Sequence, residues 1–342
     1  MDGRDTVSVV IVNYNRKDML SACIRSVLDQ TRAAEQVIVV DNGSEDGSAA
    51  LVREEFGGRV RLIELAYNSG FAGGNNAGIR AADTEWAALI NNDAVADPCW
   101  LAELMRAVEG RAEAGLAACT IVRGDRRDCL ENLGVGLARD GMSRGSRHFA
   151  RAAEVSDQSV LIPSGCAALV RRSAFHEAGG FDESFFCYSE DTDLFLKIRL
   201  QGWNTVLARR ACAYHHPGGG TLGVISPHKT YLVERNRLFI LFRFYPAGRI
   251  MASPLHTFMR YLALAVEIIK TGARDREGRQ AGSVLKNLWS LLKAYGHAFY
   301  RLPSELENRR RVREQTRVCP GSMKRWLAVY RLDPRSLRSL GP

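Results

Sequence analysis

At 342 residues the chain is long enough for one large domain with an appendage, or for two domains. Hydrophobic residues make up 46% and charged residues 25%, which excludes a disordered or fibrous protein and is ordinary for a globular one. The formal charge of +9 is uneven: residues 301–342 hold 11 Lys/Arg against 4 Asp/Glu, a surplus of +7 that leaves the rest close to neutral.

A basic tail suits nucleic acid or an anionic membrane surface. No nucleic-acid motif accompanies it, so peripheral membrane contact is the expectation, with a merely solvated tail as the alternative. The start MDGRDTVSVVIVNYN lacks a basic stretch followed by a long apolar run, so no signal peptide is expected. Eight cysteines without CxxC pairs suggest neither a zinc ribbon nor a disulfide framework, and reduced thiols in a cytoplasmic protein are expected.

Val7–Val12 is a continuous β-branched run, as in a buried parallel strand, and Asn13-Tyr14-Asn15 breaks it. Lys17–Gln30 carries Leu20, Ile24, Val27 and Leu28 at helical spacing. Val37–Val40 reads as a second strand ended by Asp41-Asn42-Gly43-Ser44, Ser48–Phe56 as a helix and Val60–Leu65 as a third strand. Asn68–Gly78 reads as a glycine-rich loop, and Ala87–Ile90 as a fourth strand ended by Asn91-Asn92-Asp93. This alternation predicts an α/β fold with a mostly parallel sheet.

Gly110–Ser159 reads as loops and excursions. Ser164–Arg172 and Thr205–Tyr214 read as strands on either side of a carboxylate-led helix. Beyond Pro246 the pattern changes: Phe258–Ile269 and Asn287–Arg301 read as helices, the second with Leu288, Leu291, Leu292, Tyr295 and Phe299 on one apolar face. Arg260 and Glu267 interrupt the longest apolar stretch, which is too short to span a bilayer. The expected division is residues 1–245 as the α/β domain and 246–342 as a helical, basic region for acceptor, membrane or oligomer contacts, a homodimer included.

Polar residues recur where predicted strands end: Asn13 and Asn15, then Asp41 and Asn42, then Asn92 and Asp93. In open α/β sheets ligands bind outside those ends. Each loop alone is also an ordinary turn. The stretch Asn68–Ile79 fits neither the P-loop nor the dinucleotide fingerprint, yet Gly70, Gly73 and Gly74 permit close backbone approach and Asn75 and Asn76 add amides. Asp93, with His215 or His216 at a later strand end, could hold magnesium or manganese together with a diphosphate. Between Gly179 and Trp203, Glu190, Asp191 and Asp193 open a helix beside Phe185, Phe186 and Tyr188. A helix start favours the carboxylate as the anion, the form a general base needs.

Seven ordered segments carry a resemblance: VSVVIVNYNRKDML (7–20), VIVVDNGSEDGS (37–48), NSGFAGGNNAGI (68–79), ALINNDA (88–94), SGCAALVRRSAF (164–175), GGFDESFFCYSEDTDLFLKIRLQGW (179–203) and YHHPGGGT (214–221). Together they resemble the family 2 inverting glycosyltransferases, in particular their bacterial rhamnosyltransferase-like branch, across roughly residues 5–245. The resemblance implies a GT-A fold, a nucleoside-diphosphate sugar donor and a divalent cation, Mn²⁺ or Mg²⁺. It implies that Asp41 contacts the nucleoside beside Asn13 and Asn15, and that Asn42, Asn68, Gly70, Asn76, Asn92 and Gly165 belong to the donor site. Asp93 resembles the metal ligand of a DXD-type motif that here reads Asn91-Asn92-Asp93. Asp191 resembles the catalytic base, supported by Glu190 and Asp193, and one of His215 and His216 resembles a late metal ligand. Strand alternation through Ala211 and Ala213 favours His215, while the spacing to Gly218 leaves both open.

The implied reaction is a single displacement that moves a sugar, with rhamnose from a dTDP donor as the leading expectation, to a saccharide or lipid-linked saccharide in cell-surface polysaccharide synthesis. The expected place is the cytoplasm or the inner face of its membrane. The rivals are a non-catalytic nucleotide-sugar-binding protein and a sugar nucleotidyltransferase. Intact Asp191 argues against the first, and the lack of a basic glycine-rich loop after the first strand argues against the second.

Overall fold

A computed structural model of the chain describes residues 6–146, 160–216, 226–271 and 284–332. Two compact units emerge, Met1–Val135 with Arg147–Pro217, and Gly136–Ser146 with Gly218–Pro342. The division thus falls near Pro217 rather than at 245, and the second unit also takes a short excursion from the middle of the chain. The PGGGT portion of the YHHPGGGT segment and the last ten residues of the basic tail lie outside the described residues.

The first unit begins β1 (Val7–Asn13), α1 (Lys17–Leu28), β2 (Gln36–Asp41), α2 (Ser48–Phe56), β3 (Arg61–Glu64), α3 (Gly70–Ala81), β4 (Trp86–Asn91), β5 (Ala94–Ala96), α4 (Trp100–Val108), β6 (Ala114–Arg123) and β7 (Arg126–Asn132). A small ribbon follows, β8 (Val135–Leu137) with β9 (Ser143–Gly145). The first unit resumes with β10 (Ala167–Arg171), α5 (Arg172–Glu177), a 3₁₀ turn Glu183–Phe185, α6 (Glu190–Leu200) and β11 (Asn204–His215).

These strands form a nine-stranded sheet in the order β3-β2-β1-β4-β10-β6-β11-β5, with β7 pairing the last residues of β6. β1 is parallel to β2 and β4, β2 to β3, and β6 to β11. β10 runs antiparallel to both its neighbours, β4 and β6. The run VSVVIVN makes β1 because β-branched side chains pack well on a pleated surface covered on both faces. Val7, Val9 and Ile11 join Leu20, Ile24 and Val27 of α1 in one core, while Val12 packs with Ile38, Val40 and Ala82 on the other face. The register sets Asn13 opposite Asp41 at the strand ends.

Two sequence expectations are corrected. Asn68–Gly78 is not a loop: from Gly70 onward it is α3. Its glycines set the distance of closest approach, since a Cβ at Gly74 would lie 2.5 Å from Val12 Cγ1 and one at Gly78 2.3 Å from Val10 Cγ1. The valine side chains of β1 sit there directly against the helix backbone. Gly110–Ser159 is likewise not a run of excursions, for it contains β6 and β7. Ala114–Val122 is buried at every position, and its small residues masked the strand signal.

The second unit continues with α7 (Pro227–Phe244), α8 (Ala247–Thr271), α9 (Val284–Tyr300), α10 (Leu302–Gln315) and α11 (Ser322–Val329). Ser226 caps α7 by accepting the Lys229 N–H, and Pro227 fills the first turn, where a missing N–H costs nothing. Buried ion pairs hold this unit. Arg243 meets Glu305 with both side chains fully buried. Arg237 donates to Glu234, to the Asp140 carbonyl and to Tyr295 Oη. Arg260 donates to Asp140 at 2.8 Å and to Glu234 at 2.7 Å. Among the described residues no helix is long and apolar enough to cross a membrane.

Candidate functional site

Three strand ends are tied by their own amides and carboxylates. Asn13, at the end of β1, donates to Asp41 Oδ1 at the end of β2 and to Ser44 Oγ, both at 3.2 Å. Its Oδ1 accepts from Asn92 Nδ2 at 2.7 Å, just past β4. Asp41 Oδ2 accepts the Ser44 N–H, Ser44 Oγ accepts the Asn15 N–H, and Asn15 Oδ1 accepts the Glu45 N–H. Asn15 itself stands in the left-handed region at φ 49°, where asparagine is tolerated better than most residues. The exposed large hydrophobic or aromatic side chains described in this unit are Tyr14 and Tyr67, 44% and 73% exposed, and both lie next to these loops.

The next group is Asp93, His215 and Glu131. His215 Nδ1 lies 2.6 Å from Glu131 Oε2, and Nε2 lies 3.2 Å from Asp93 Oδ1. Asp93 Oδ1 is buried and makes no hydrogen bond of good geometry. Burial alone would depress the His215 imidazole, but hydrogen bonds and charge from Asp93 and Glu131 outweigh it and raise the pKa to about 10. Burial would likewise raise the Asp93 carboxyl, yet His215 and the charge of Arg16 hold it below its ordinary value. The alternation of β11 thus turns His215 toward Asp93. His216 offers Asp93 only its backbone N–H, and its ring lies against Gly124. Glu131 was not found from the sequence: it lies 84 residues from His215, on a strand that carries no motif.

An orphaned buried carboxylate oxygen facing an imidazole nitrogen suits a cation placed between them, and one hard and one borderline ligand suit Mn²⁺ or Mg²⁺. Among the described residues no three His, Cys, Asp or Glu side chains are grouped to hold a metal by themselves. Substrate oxygens would have to complete the coordination.

The third group opens α6. Asp191 Oδ2 accepts the Gly165 N–H at 2.9 Å, and Oδ1 accepts the Thr192 N–H at 2.6 Å. A Cβ at Gly165 would meet Asp191 and Phe71 at 3.1 Å, so glycine lets the loop come up against the carboxylate. Burial lifts the Asp191 carboxyl above its ordinary value, and the bonds from Gly165 and Thr192 only partly offset it. Burial, with Asp191 beside it, pushes Glu190 well above its ordinary value, and Glu190 Oε2 has no hydrogen-bond partner. The helix start was expected to favour the anions; desolvation is the larger effect here. Asp193 is fully buried and pairs with Lys197 one turn on.

These groups meet at one place. Cys166 O accepts the Asn91 N–H at 2.8 Å, which sets the Gly165 loop, and with it Asp191, beside the Asn91-Asn92-Asp93 end of β4. Five of the expected donor residues make contacts within the protein. Asn42 spends its whole amide on the Ser69 N–H and Oγ, the Gly70 carbonyl and Asn68 Oδ1. Asn68 Oδ1 also takes the Gly70 N–H. Asn76 braces the Phe181 backbone and Glu183. These residues and Gly70 build the start of α3, and Gly165 positions Asp191. All eight cysteines are free thiols.

The chain is 29% identical over 243 residues to an uncharacterized protein of Sinorhizobium fredii, covering 67% of this chain and 26% of that one. It is 27% identical over 244 residues to an O-antigen biosynthesis protein of Myxococcus xanthus, covering 67% and 19%. It is 28% identical over 242 residues to an N-acetylglucosaminyl-diphospho-decaprenol L-rhamnosyltransferase of Mycobacterium tuberculosis, covering 64% and 78%. The chain therefore spans about a quarter of the first relative and about a fifth of the second. Residues 8–179, half of the chain, match the family described as Glycosyl transferase family 2, and they contain the parallel strands β1–β4 and the Asn13, Asp41 and Asp93 ends. The protein belongs to glycosyl transferase family 2 and has its GT-A fold.

Proposed function

We propose that the protein transfers a sugar, with inversion, from a nucleoside-diphosphate donor to a hydroxyl of a saccharide or lipid-linked saccharide in cell-surface polysaccharide synthesis. The observation that carries this is Asp191: a carboxylate with raised proton affinity, fixed by two backbone N–H groups, beside the strand end that carries Asp93. A carboxylate of raised proton affinity, already oriented, suits proton removal from an acceptor hydroxyl. Rhamnose as the sugar and a lipid diphosphate as the acceptor are taken by analogy from the name of the Mycobacterium tuberculosis relative.

In this reading Asp41 and the Asn13–Asn15 turn receive the nucleoside, and the exposed rings of Tyr14 and Tyr67 offer faces for its base. Asp191 takes the acceptor proton, and Glu190 keeps the neighbouring volume uncharged. The family is generally dependent on a divalent cation. Asp93 and His215 would hold it, and it would neutralise charge growing on the departing diphosphate. With a cation bound in place of the Nε2 proton, Glu131 would accept from His215 Nδ1 and so fix the ring with Nε2 turned toward Asp93.

A panel of nucleotide sugars, tested for protection against thermal unfolding with and without manganese, checks the donor. The expected result is protection by one nucleoside diphosphate and its sugar, stronger with manganese, followed by transfer to a saccharide. Protection without any transfer would favour the non-catalytic binding rival.

A further inference from the structure

Two helices of the second unit are amphipathic in reverse. On α8, Met251, Leu255, Phe258, Met259, Leu262 and Val266 recur every three or four residues, so they form one stripe, and all are exposed, Met251 to 81%. The other side of α8 is polar and packed inward: Ser253 and Thr257 are buried, and Arg260 reaches Asp140 and Glu234. On α9, Leu285, Leu288, Trp289, Leu292, Phe299 and Tyr300 are exposed, while Ser290, Ala294 and Ala298 are buried and Tyr295 receives Arg237. The polar and small residues make the contacts within the unit, and the large apolar ones face out. An ordinary surface helix does the opposite, and apolar area on this scale marks an interaction site.

Charge narrows the choice of partner. Apart from Glu267 in the last turns of α8, residues 247–271 and 284–304 contain no Asp or Glu, while Arg249, Lys286, Lys293 and Arg301 are basic. Lys293 Nζ lies over the Trp289 ring, 5.4 Å from its centroid, inside the α9 stripe. Beside the stripe, between the start of α7 and α9, is a cavity of about 560 Å³ lined by Pro227, His228, Tyr231, Ser290, Lys293 and His297, with no carboxylate. Arg235 and Arg301 add their charge to that of Lys293 at His297 on the cavity wall. A second copy of the chain would bring the same acid-free face against itself. A surface that is apolar in depth and anionic at its rim complements it.

We infer that α8 and α9 lay the protein on an anionic phospholipid bilayer, with their apolar stripes at the headgroup–acyl boundary and the Lys293 cavity against lipid phosphates. The apolar stripes of these helices supply the grip, beside the basic tail expected from composition. In that tail Arg310 and Arg311 of α10 are already paired with Glu314 and Glu307. The inference does not depend on which sugar or donor the first unit uses.

The test is co-sedimentation of the full chain with vesicles of phosphatidylcholine alone and of phosphatidylcholine with phosphatidylglycerol. The expected result is binding to the anionic vesicles that weakens at least tenfold between roughly 50 mM and 500 mM salt, as the Debye length shortens. Leu255→Asp with Phe258→Asp, and separately Trp289→Asp with Leu292→Asp, should each abolish binding while nucleoside-diphosphate protection persists. Should either pair fail to fold, brominated lipid gives a second reading. It should quench Trp fluorescence of the wild-type chain, and Trp289→Phe should remove that quenching. Three outcomes would each overturn the inference: no binding at low salt, binding indifferent to the substitutions, or a solution dimer that the substitutions dissociate.

Discussion

In the second unit Asp140, Glu234 and Glu305 are buried against arginines that neutralise them, whereas in the first unit Asp191 is held only by N–H groups and a hydroxyl, and Glu190 Oε2 by nothing. The proton affinities differ accordingly. Burial would raise Asp140 and Glu234, but Arg237 and Arg260 outweigh it and hold both below their ordinary values. Burial is not outweighed at Glu190 and Asp191, and both are raised. The same residue types therefore serve two ends. Paired carboxylates close the helical unit together, and carboxylates buried without a cation gain proton affinity, as the proposed base requires.

The comparison breaks most visibly at Asp191. Asp191→Asn should lower kcat by on the order of 10² to 10⁴ while nucleoside-diphosphate binding stays near wild type. Turnover above about a tenth of wild type would end the assignment of Asp191 as base. The counterpart in the helical unit is Glu305→Ala, which leaves the Arg243 guanidinium buried and unpaired. Breaking such a pair costs about 3–5 kcal/mol, and urea denaturation followed by helical circular dichroism measures it. A loss no larger than that of an exposed pair such as Arg310–Glu314 would mean that burial adds nothing.

Glu131 sharpens the comparison, because it is a carboxylate of the first unit that does have a partner. Glu131→Ala should weaken manganese-dependent nucleoside-diphosphate binding about 10- to 100-fold, read by calorimetry, while Glu131→Gln, which keeps an acceptor for His215 Nδ1, should retain most of it. Equal binding by all three proteins would leave Glu131 a fold residue only.

The smallest effect concerns pH. Glu190 binds its proton more tightly folded than unfolded, so between the ordinary carboxylate value of about 4.3 and the raised one the folded state holds more protons. Stability should therefore fall as pH rises through that window. Glu190→Gln should flatten the dependence, as urea midpoints measured from pH 4 to 8 would show. A wild-type midpoint that instead rises with pH and is unaltered by the substitution would mean that another group dominates.

Much of the first unit was legible because its physics is local. A buried parallel strand reads as a short unbroken apolar run, and the polar residues that end it, Asn13, Asp41 and Asp93, fall together at one edge of the sheet. Asp191 and His215 were legible through segments whose order matches a family. The helix α3 was hidden because glycines that serve close packing look like glycines that serve turns. The helix α7 was hidden because Glu234, Arg235, Arg237 and Arg243 are buried, which erases any alternation between polar and apolar faces. In α9 the apolar face over Leu288, Leu292 and Phe299 was real, but its direction was not: a moment shows that a face exists, and only the fold shows that it points outward. Glu131 had no local signal at all, since its meaning lies in a residue 84 positions away.

The end of β4 has a consequence for anyone wishing to redirect the protein to another sugar. Asn91 is tied to Cys166, Asn92 to Asn13, and the Asp93 carbonyl to the His216 N–H. Three successive residues are each lashed to a different neighbour, so none can be adjusted alone, and a change in any of those neighbours moves a shared part. Tyr14 and Tyr67 are outside this lashing, exposed and replaceable. Libraries built at those two positions would vary the mouth of the site while leaving its mechanism in register.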